Sequence, residues 1–245
     1  MILVETFIRQ GNWLFRYRSF LPLLLLAGAL LYSFFFPPPK LLGEWYAFVC
    51  LIPGLVGLWI RSMVVGYSPA NTSGRNTEAG QLAAQLNSTG WYGMVRHPLY
   101  LGNFLMWLSP LLLCGSVVIT LLFIAVFWLY YERIMVAEEA FLSKSFGDEY
   151  SKWAATVPAF LPNRLFWVKP PLSFSWRKVL RKEKNGLFAL LLVFWIFLSF
   201  QKSVSGNSIQ MVYGFWFWAM LVSALVYLVL KFLKYNSSWL SDDRG

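Results

Sequence analysis

Residues 99–131 read LYLGNFLMWLSPLLLCGSVVITLLFIAVFWLYY, from Leu99 to Tyr131, without a single charged side chain. A spanning helix needs about 20 mostly apolar residues, so this stretch is too long for one span. It is interrupted at Ser109-Pro110 and again at Cys114-Gly115-Ser116. Those breakers predict a helical hairpin, with its turn at the Gly-Ser pair and both free ends on one face of a membrane. Four more apolar stretches flank it: Phe20 to Phe36, Trp45 to Met63, Leu187 to Phe200 and Met211 to Leu230. Together they predict an all-α, polytopic transmembrane helix bundle.

Composition agrees. Only 13% of the 245 residues are charged and 58% are hydrophobic, against roughly 25% charged in an ordinary soluble domain. Disorder is excluded, because a disordered chain is poor in aromatics and rich in charge, whereas here 19% of residues are Phe, Trp or Tyr. The net charge of +10, from 21 Lys and Arg against 11 Asp and Glu, reads as a positive-inside bias and not as a nucleic-acid surface. Arg9, Arg16 and Arg18 precede the first span. Arg61, Arg75 and Arg96 sit at or after the end of the second, the run from Arg133 to Lys184 follows the hairpin, and Lys231, Lys234 and Arg244 follow the last. Only Lys40 and Lys202 fall on the other side, which predicts both termini and both large polar loops in the cytoplasm. Trp13, Trp45, Trp167, Trp176 and Trp239 lie near span ends, as interfacial anchors do.

No secretory signal is expected, since Pro37-Pro38-Pro39 is not a small-residue cleavage site. The glycosylation patterns at Asn71, Asn87 and Asn236 fall on the cytoplasmic side and read as chance matches. One His and two Cys are too few for a zinc cage, so no metal site is expected. Cys50 and Cys114 sit in apolar surroundings and read as packing residues.

Two segments are not apolar. The first, Gly66 to Pro98, is rich in Asn, Gln, Ser and Thr, but its glycines lack the Lys-Ser or Lys-Thr of a phosphate loop. It is either a loop that covers a site or a polar connector. It ends in Arg96-His97-Pro98-Leu99-Tyr100-Leu101-Gly102-Asn103. Pro98 suits the first helical position, where its missing N–H costs nothing. His97 then stands at a helix mouth that favours an anion; the plainer reading is that Arg96 only sets orientation and His97 only caps. Tyr100 and Asn103 are one turn apart, and Gly102 leaves room for close approach. The second segment, Tyr130 to Glu139, carries Glu132 and Glu139 on one helical face with Glu138 about 100° away. Three carboxylates at a membrane mouth mark a pathway or a site. Beyond them Phe146, Tyr150, Trp153 and Val157 recur at helical spacing, predicting an amphipathic helix.

The string Arg96-His97-Pro98-Leu99-Tyr100-Leu101-Gly102, a hydrophobic hairpin, then Glu138-Glu139, Leu142, Phe146-Gly147, Glu149-Tyr150, Trp153, Val157-Pro158 and Leu161-Pro162 resembles the signature of the isoprenylcysteine carboxyl methyltransferase and phospholipid methyltransferase superfamily. The resemblance covers about Gly90 to Pro162. It implies S-adenosylmethionine as cofactor in a cytoplasm-facing pocket closed by the amphipathic helix, with a lipid or lipidated acceptor entering from the membrane. It also implies Arg96, Glu132, Arg133 and Glu139 as catalytic residues, and His97, Pro98, Tyr100, Gly102, Asn103, Glu138, Glu139 and Tyr150 as cofactor ligands. A sulfonium and an ammonium suit the glutamates, and a carboxylate suits a helix mouth carrying Arg96 and His97. Residues 1–66 become N-terminal transmembrane helices, 67–171 the methyltransferase core and 172–245 a C-terminal helix pair.

The chain departs from the prenylcysteine enzymes in having Val136 and Ala137 before the two glutamates, and Arg133 only as an offset counterpart of their arginine. The loop Thr72-Ser73-Gly74-Arg75-Asn76 is similar to one in bacterial members linked to lipid A phosphate, which points to a bacterial inner membrane. The expected acceptor is an anionic oxygen, carboxylate or phosphate, which needs no general base. The alternatives are a phospholipid amine N-methyltransferase, an NADPH-dependent membrane reductase of the sterol type, and a non-enzymatic transporter.

Overall fold

A computed structural model describes residues 2–18, 20–37, 43–69, 75–77, 80–83, 85–163, 167–206 and 208–240. Seven α-helices follow in order: α1 (Leu3–Arg16), α2 (Leu21–Phe35), α3 (Gly43–Tyr67), α4 (Pro98–Leu112), α5 (Val117–Ala154), α6 (Trp176–Ser205) and α7 (Phe215–Asn236). A two-stranded antiparallel hairpin, Arg75–Thr77 with Gly80–Leu82, interrupts the long polar segment. Thr72, Ser73 and Gly74 of the lipid A-like loop lie outside the described residues, as do Pro38, Pro39, Lys40, Asn71 and Arg244.

The hairpin forms as expected. Gly115 takes a left-handed φ of 61° in the turn between α4 and α5, and the Ser116 hydroxyl caps α5 by accepting from the Ile119 N–H. Ser109-Pro110 does not break the chain, because Pro110 falls in the last turn of α4. There the Ser109 hydroxyl donates to the Cys50 carbonyl at 2.6 Å.

The chain is an integral membrane protein. Helices α3, α5, α6 and α7 are long and apolar enough to cross a bilayer. Of the six expected spans, α2 and α4 have 15 residues each, roughly 22 Å of helix, and fall short of a hydrocarbon core of about 30 Å. The five anchoring tryptophans are all exposed, from 41% at Trp167 to 81% at Trp45. Cys50 and Cys114 are free and buried.

Three arrangements position the site. Helix α3 lies along α4, with Gly57 and Gly102 so close that a Cβ on either would press on the backbone carbonyl of the other. Helix α1 lies along α5. A Cβ at Gly11 would overlap the Arg133 carbonyl, and the Tyr130 hydroxyl donates to the Leu14 carbonyl at 2.9 Å. Helix α6 pairs with α7 and leans on α3. Its first three turns extend past the apolar stretch and hold the basic run that the sequence places in a loop.

The amphipathic helix is a continuation of α5, beyond a left-handed break at Gly147 (φ 51°, ψ −122°). It ends at Ala154, so Val157 lies past it. Its inner face closes on the segment ahead of α4, where the Trp153 indole donates to the Tyr92 carbonyl at 3.2 Å.

Candidate active site

Backbone bonds fix the strand that enters α4. Gly90, at φ 60°, donates its N–H to the Val168 carbonyl at 2.8 Å, and the N–H groups of Arg96 and His97 donate to the carbonyls of Pro158 and Ala159 at 2.9 and 3.1 Å. Pro98 then occupies the first helical position as expected, with His97 before it.

This strapping turns Arg96 and His97 onto the glutamates of α5. Glu139 Oε1 accepts from Arg96 Nε at 2.9 Å and lies 3.0 Å from His97 Nε2. His97 Nδ1 lies 3.4 Å from Glu138 Oε2. Arg96 Nη1 also donates to the carbonyls of Ala154 and Val157, at 2.7 and 3.1 Å, closing the end of α5. A carboxylate thus stands at each ring nitrogen of His97. Burial alone pushes its pKa down, but hydrogen bonding to Glu138 and Glu139 and their negative charge outweigh that and raise it. The imidazole stacks on Tyr100 at 5.4 Å and 9°. Tyr100 in turn meets Tyr131 edge-on, and Tyr131 stacks on Phe127 at 4.1 Å.

A second cluster ties α3, α4, α5 and α6 together. Arg61 donates from Nε and Nη2 to the two oxygens of Glu183, both at 2.9 Å. Its Nη1 donates to Asn103 Oδ1 at 2.5 Å, and Asn103 Nδ2 donates to the Tyr131 hydroxyl at 3.3 Å. Gly102 is the seat that Arg61 crosses, since a Cβ there would press on Arg61 Cγ.

Between the clusters opens a cavity of about 680 Å³, within the range of small-molecule sites. Its mouth is lined by Arg18, Arg61, Arg96, His97, Glu138, Arg181, Lys182, Glu183, Lys184 and Lys234. Its floor, between α4 and α6, is apolar: Met106, Trp107, Pro110, Ala189, Leu190 and Val193.

Of the sequence-predicted residues, Arg96, His97, Pro98, Tyr100, Asn103 and Glu138 line this cavity. Glu139 stands behind them and holds Arg96 and His97. Tyr150 is buried beside Glu139, its hydroxyl outside hydrogen-bonding geometry. Gly102 serves the packing of α3 on α4. Glu132 and Arg133 are not among the cavity's lining residues, and Arg133 faces α1. Arg133 donates to Gln10 Oε1 at 2.9 Å and lies 4.7 Å from the Phe7 ring, while Glu132 is 3.9 Å from Arg133. Sequence reasoning missed Glu183, and took Arg18, Arg61 and Lys234 only as orientation charges. An ionisable residue at the end of an apolar span was the available signal for Arg61.

Fold and site together define a helical membrane protein with an amphiphilic cavity at its charged end. The phospholipid methyltransferase family matches residues 49–149, which span α4 and most of α3 and α5. Over this stretch the chain is similar to the phospholipid methyltransferase family. It is 40% identical over 77 residues to a protein-S-isoprenylcysteine O-methyltransferase of Schizosaccharomyces pombe, covering 31% of this chain and 33% of that protein. It is 32% identical over 132 residues to a probable protein-S-isoprenylcysteine O-methyltransferase of Oryza sativa subsp. indica, covering 51% and 65%. It is 28% identical over 120 residues to the cobalt-zinc-cadmium resistance protein CzcN of Cupriavidus metallidurans, covering 49% and 52%. The chain thus spans less than two thirds of the length of these relatives. No solved structure matches it.

Proposed function

We propose that the protein transfers a methyl group from S-adenosylmethionine to an anionic oxygen of a lipid or lipidated acceptor. The observation that carries this reading is a cavity that joins a charged mouth to an apolar floor, with Arg61, Arg96, His97 and Glu138 of that mouth on the segment shared with the methyltransferase relatives. The donor set fits the cofactor. Glu138 offers a carboxylate to an ammonium or sulfonium, the mouth cations suit the cofactor's carboxylate, and Tyr92, Tyr100 and Tyr131 offer aromatic faces along the same wall.

In this reading Glu138 and Tyr100 bind cofactor, Arg96 and His97 hold the wall in place through Glu139, and Asn103 orients Arg61 toward the acceptor. Arg133 acts from outside, by seating α1, with Glu132 beside it. Bound here, the sulfonium supplies an electrophilic methyl group; transfer to an anionic oxygen forms one O–C bond and breaks one S–C bond, whose electrons stay on sulfur, and moves no proton. The chain's residues therefore have positioning to do, and no general base is needed. The basic mouth faces the cytoplasm by the positive-inside bias, where a soluble cofactor is available. A bacterial inner membrane suits the resemblance of the polar loop.

The test is ligand stabilisation of the purified protein. S-adenosylhomocysteine should raise Tm and NADPH should not; the reverse would establish the reductase alternative. Labelled methyl donor supplied to membranes then identifies the acceptor. Base-labile label indicates an ester, and stable label in an amine headgroup would remove the anionic acceptor.

A further inference from the structure

Tyr131 stands where the two clusters meet. Its ring lies edge-on to Tyr100 at 5.0 Å, on the His97 side, and its hydroxyl oxygen accepts from Asn103 Nδ2 at 3.3 Å, on the Arg61 side. Chemistry fixes the direction of that bond. A guanidinium has donors and no acceptor, so the Asn103 atom 2.5 Å from Arg61 Nη1 is the amide oxygen, and the atom turned to Tyr131 is the amide nitrogen, which only donates. Arg61 is itself held by both oxygens of Glu183 at 2.9 Å. Turning the amide over would set its N–H groups against a guanidinium that is fixed in place.

The Tyr131 oxygen is thus an acceptor within the protein, and its proton points elsewhere. Tyr131 is 2% exposed and lines the cavity, and among the described residues none accepts that proton. A buried donor without a partner is costly, and a ligand oxygen at that point removes the cost.

We infer that Tyr131 contacts the acceptor directly, donating to the oxygen that does not react, and that Glu183, Arg61 and Asn103 are positioning residues that set the direction of its proton. This rests on the methyl-transfer reading in placing the acceptor in this cavity. An oxyacid group has a second oxygen beside the one that gains the methyl. Holding the second orients the first and leaves its lone pairs to the reaction. An ammonium brings only N–H groups, which the Tyr131 donor cannot pair. The wall therefore sorts acceptors by the polarity of a hydrogen bond as well as by charge, and a polar group left unpaired discriminates more strongly than a difference in apolar shape.

The experiment uses the full chain in detergent, with and without S-adenosylhomocysteine, and reads apparent Kd for decanoate and decylamine from thermal stabilisation. The two probes share a chain, but only decanoate carries oxygens. The parent should bind decanoate at least about tenfold tighter than decylamine. Tyr131→Phe keeps the ring and removes the proton; it should weaken decanoate about tenfold and leave the affinity for S-adenosylhomocysteine within about twofold. Asn103→Asp keeps an oxygen for Arg61 and offers Tyr131 a second one, which draws the proton away from the cavity. In that background Tyr131→Phe should change decanoate binding by less than about twofold, a non-additivity that loss of packing does not produce. Should Asn103→Asp not fold, the loss of decanoate against S-adenosylhomocysteine in Tyr131→Phe alone decides.

A parent without the decanoate preference overturns the proposal, as does Tyr131→Phe binding decanoate like the parent, weakening both ligands alike, or costing the same in both backgrounds. If S-adenosylhomocysteine does not stabilise the parent while Tyr131→Phe still weakens decanoate, methyl transfer falls and the oxygen site stands. If it does stabilise and Tyr131 makes no difference, the reverse holds.

Discussion

Two ion-pair clusters line one cavity and are built in opposite ways. The first, Arg96 and His97 on Glu138 and Glu139, joins the start of α4 to the same hairpin's second arm, and its partners lie 42 or 43 residues apart. The second, Arg61 on Glu183, joins helices whose partners lie 122 residues apart. The first is dense and local, with His97 sealed between carboxylates at both ring nitrogens. The second is a strut between the shared core and the C-terminal pair. The difference teaches that the first wall can be complete within the core, whereas the wall that Arg61 braces needs α6 to be in place; in the proposed reading these are the cofactor and acceptor sides.

Breaking the first cluster should cost most. Glu139→Ala strips Arg96 and His97 of a common partner, and leaving buried charge uncompensated costs about 3 to 5 kcal/mol. Denaturant unfolding in micelles should show that loss, with Glu139→Gln in between; a loss below about 1 kcal/mol would mean the cluster does not hold the wall. Glu183→Ala should cost about 2 kcal/mol, less because Arg61 keeps Asn103 and is 23% exposed. Replacing both partners, Arg61→Met with Glu183→Leu, should recover most of it. If the double variant is as unstable as the single, the pair is no strut.

The pH dependence separates the clusters further. His97 has its pKa raised in the folded chain, so its stabilisation is full below the ordinary histidine value of about 6.5 and declines as pH rises through the raised value. One proton contributes a slope of at most about 1.4 kcal/mol per pH unit. Stability should therefore fall on going from pH 6 into the alkaline range in the parent and stay flat in His97→Gln; an unchanged slope in the variant would assign the effect elsewhere. The smallest effect belongs to the contact that closes the extension of α5. Trp153→Phe removes one hydrogen bond to the Tyr92 carbonyl, worth about 1 kcal/mol, and should raise hydrogen exchange between Gly90 and His97 without disturbing the second cluster.

The same contrast explains what the sequence makes legible. The hairpin turn at Gly115, the place of Pro98 and the cavity-facing Glu138 follow from local rules of length, helix entry and spacing. Arg61 and Glu183 obey no local rule. Glu183 sits in a run of five cations from Arg177 to Lys184, where it reads as a minor interruption of a basic loop, and only the tertiary meeting of α3 and α6 reveals its partner. Arg133 shows the converse. Its position beside the glutamates suggests chemistry, but α1 claims it, because Gly11 lets that helix settle against its carbonyl. A helix docked through one missing methyl group leaves little trace in spacing alone.

The two thiols carry a practical consequence. Cys50 and Cys114 are 1% and 2% exposed, and the Ser33 hydroxyl donates to the Cys114 sulfur at 3.4 Å. The native chain should therefore be silent toward maleimides until it opens. Alkylation becomes a clock for unfolding in the intact bilayer, and a single cysteine introduced on α6 or α7 can be labelled without first removing the natural ones.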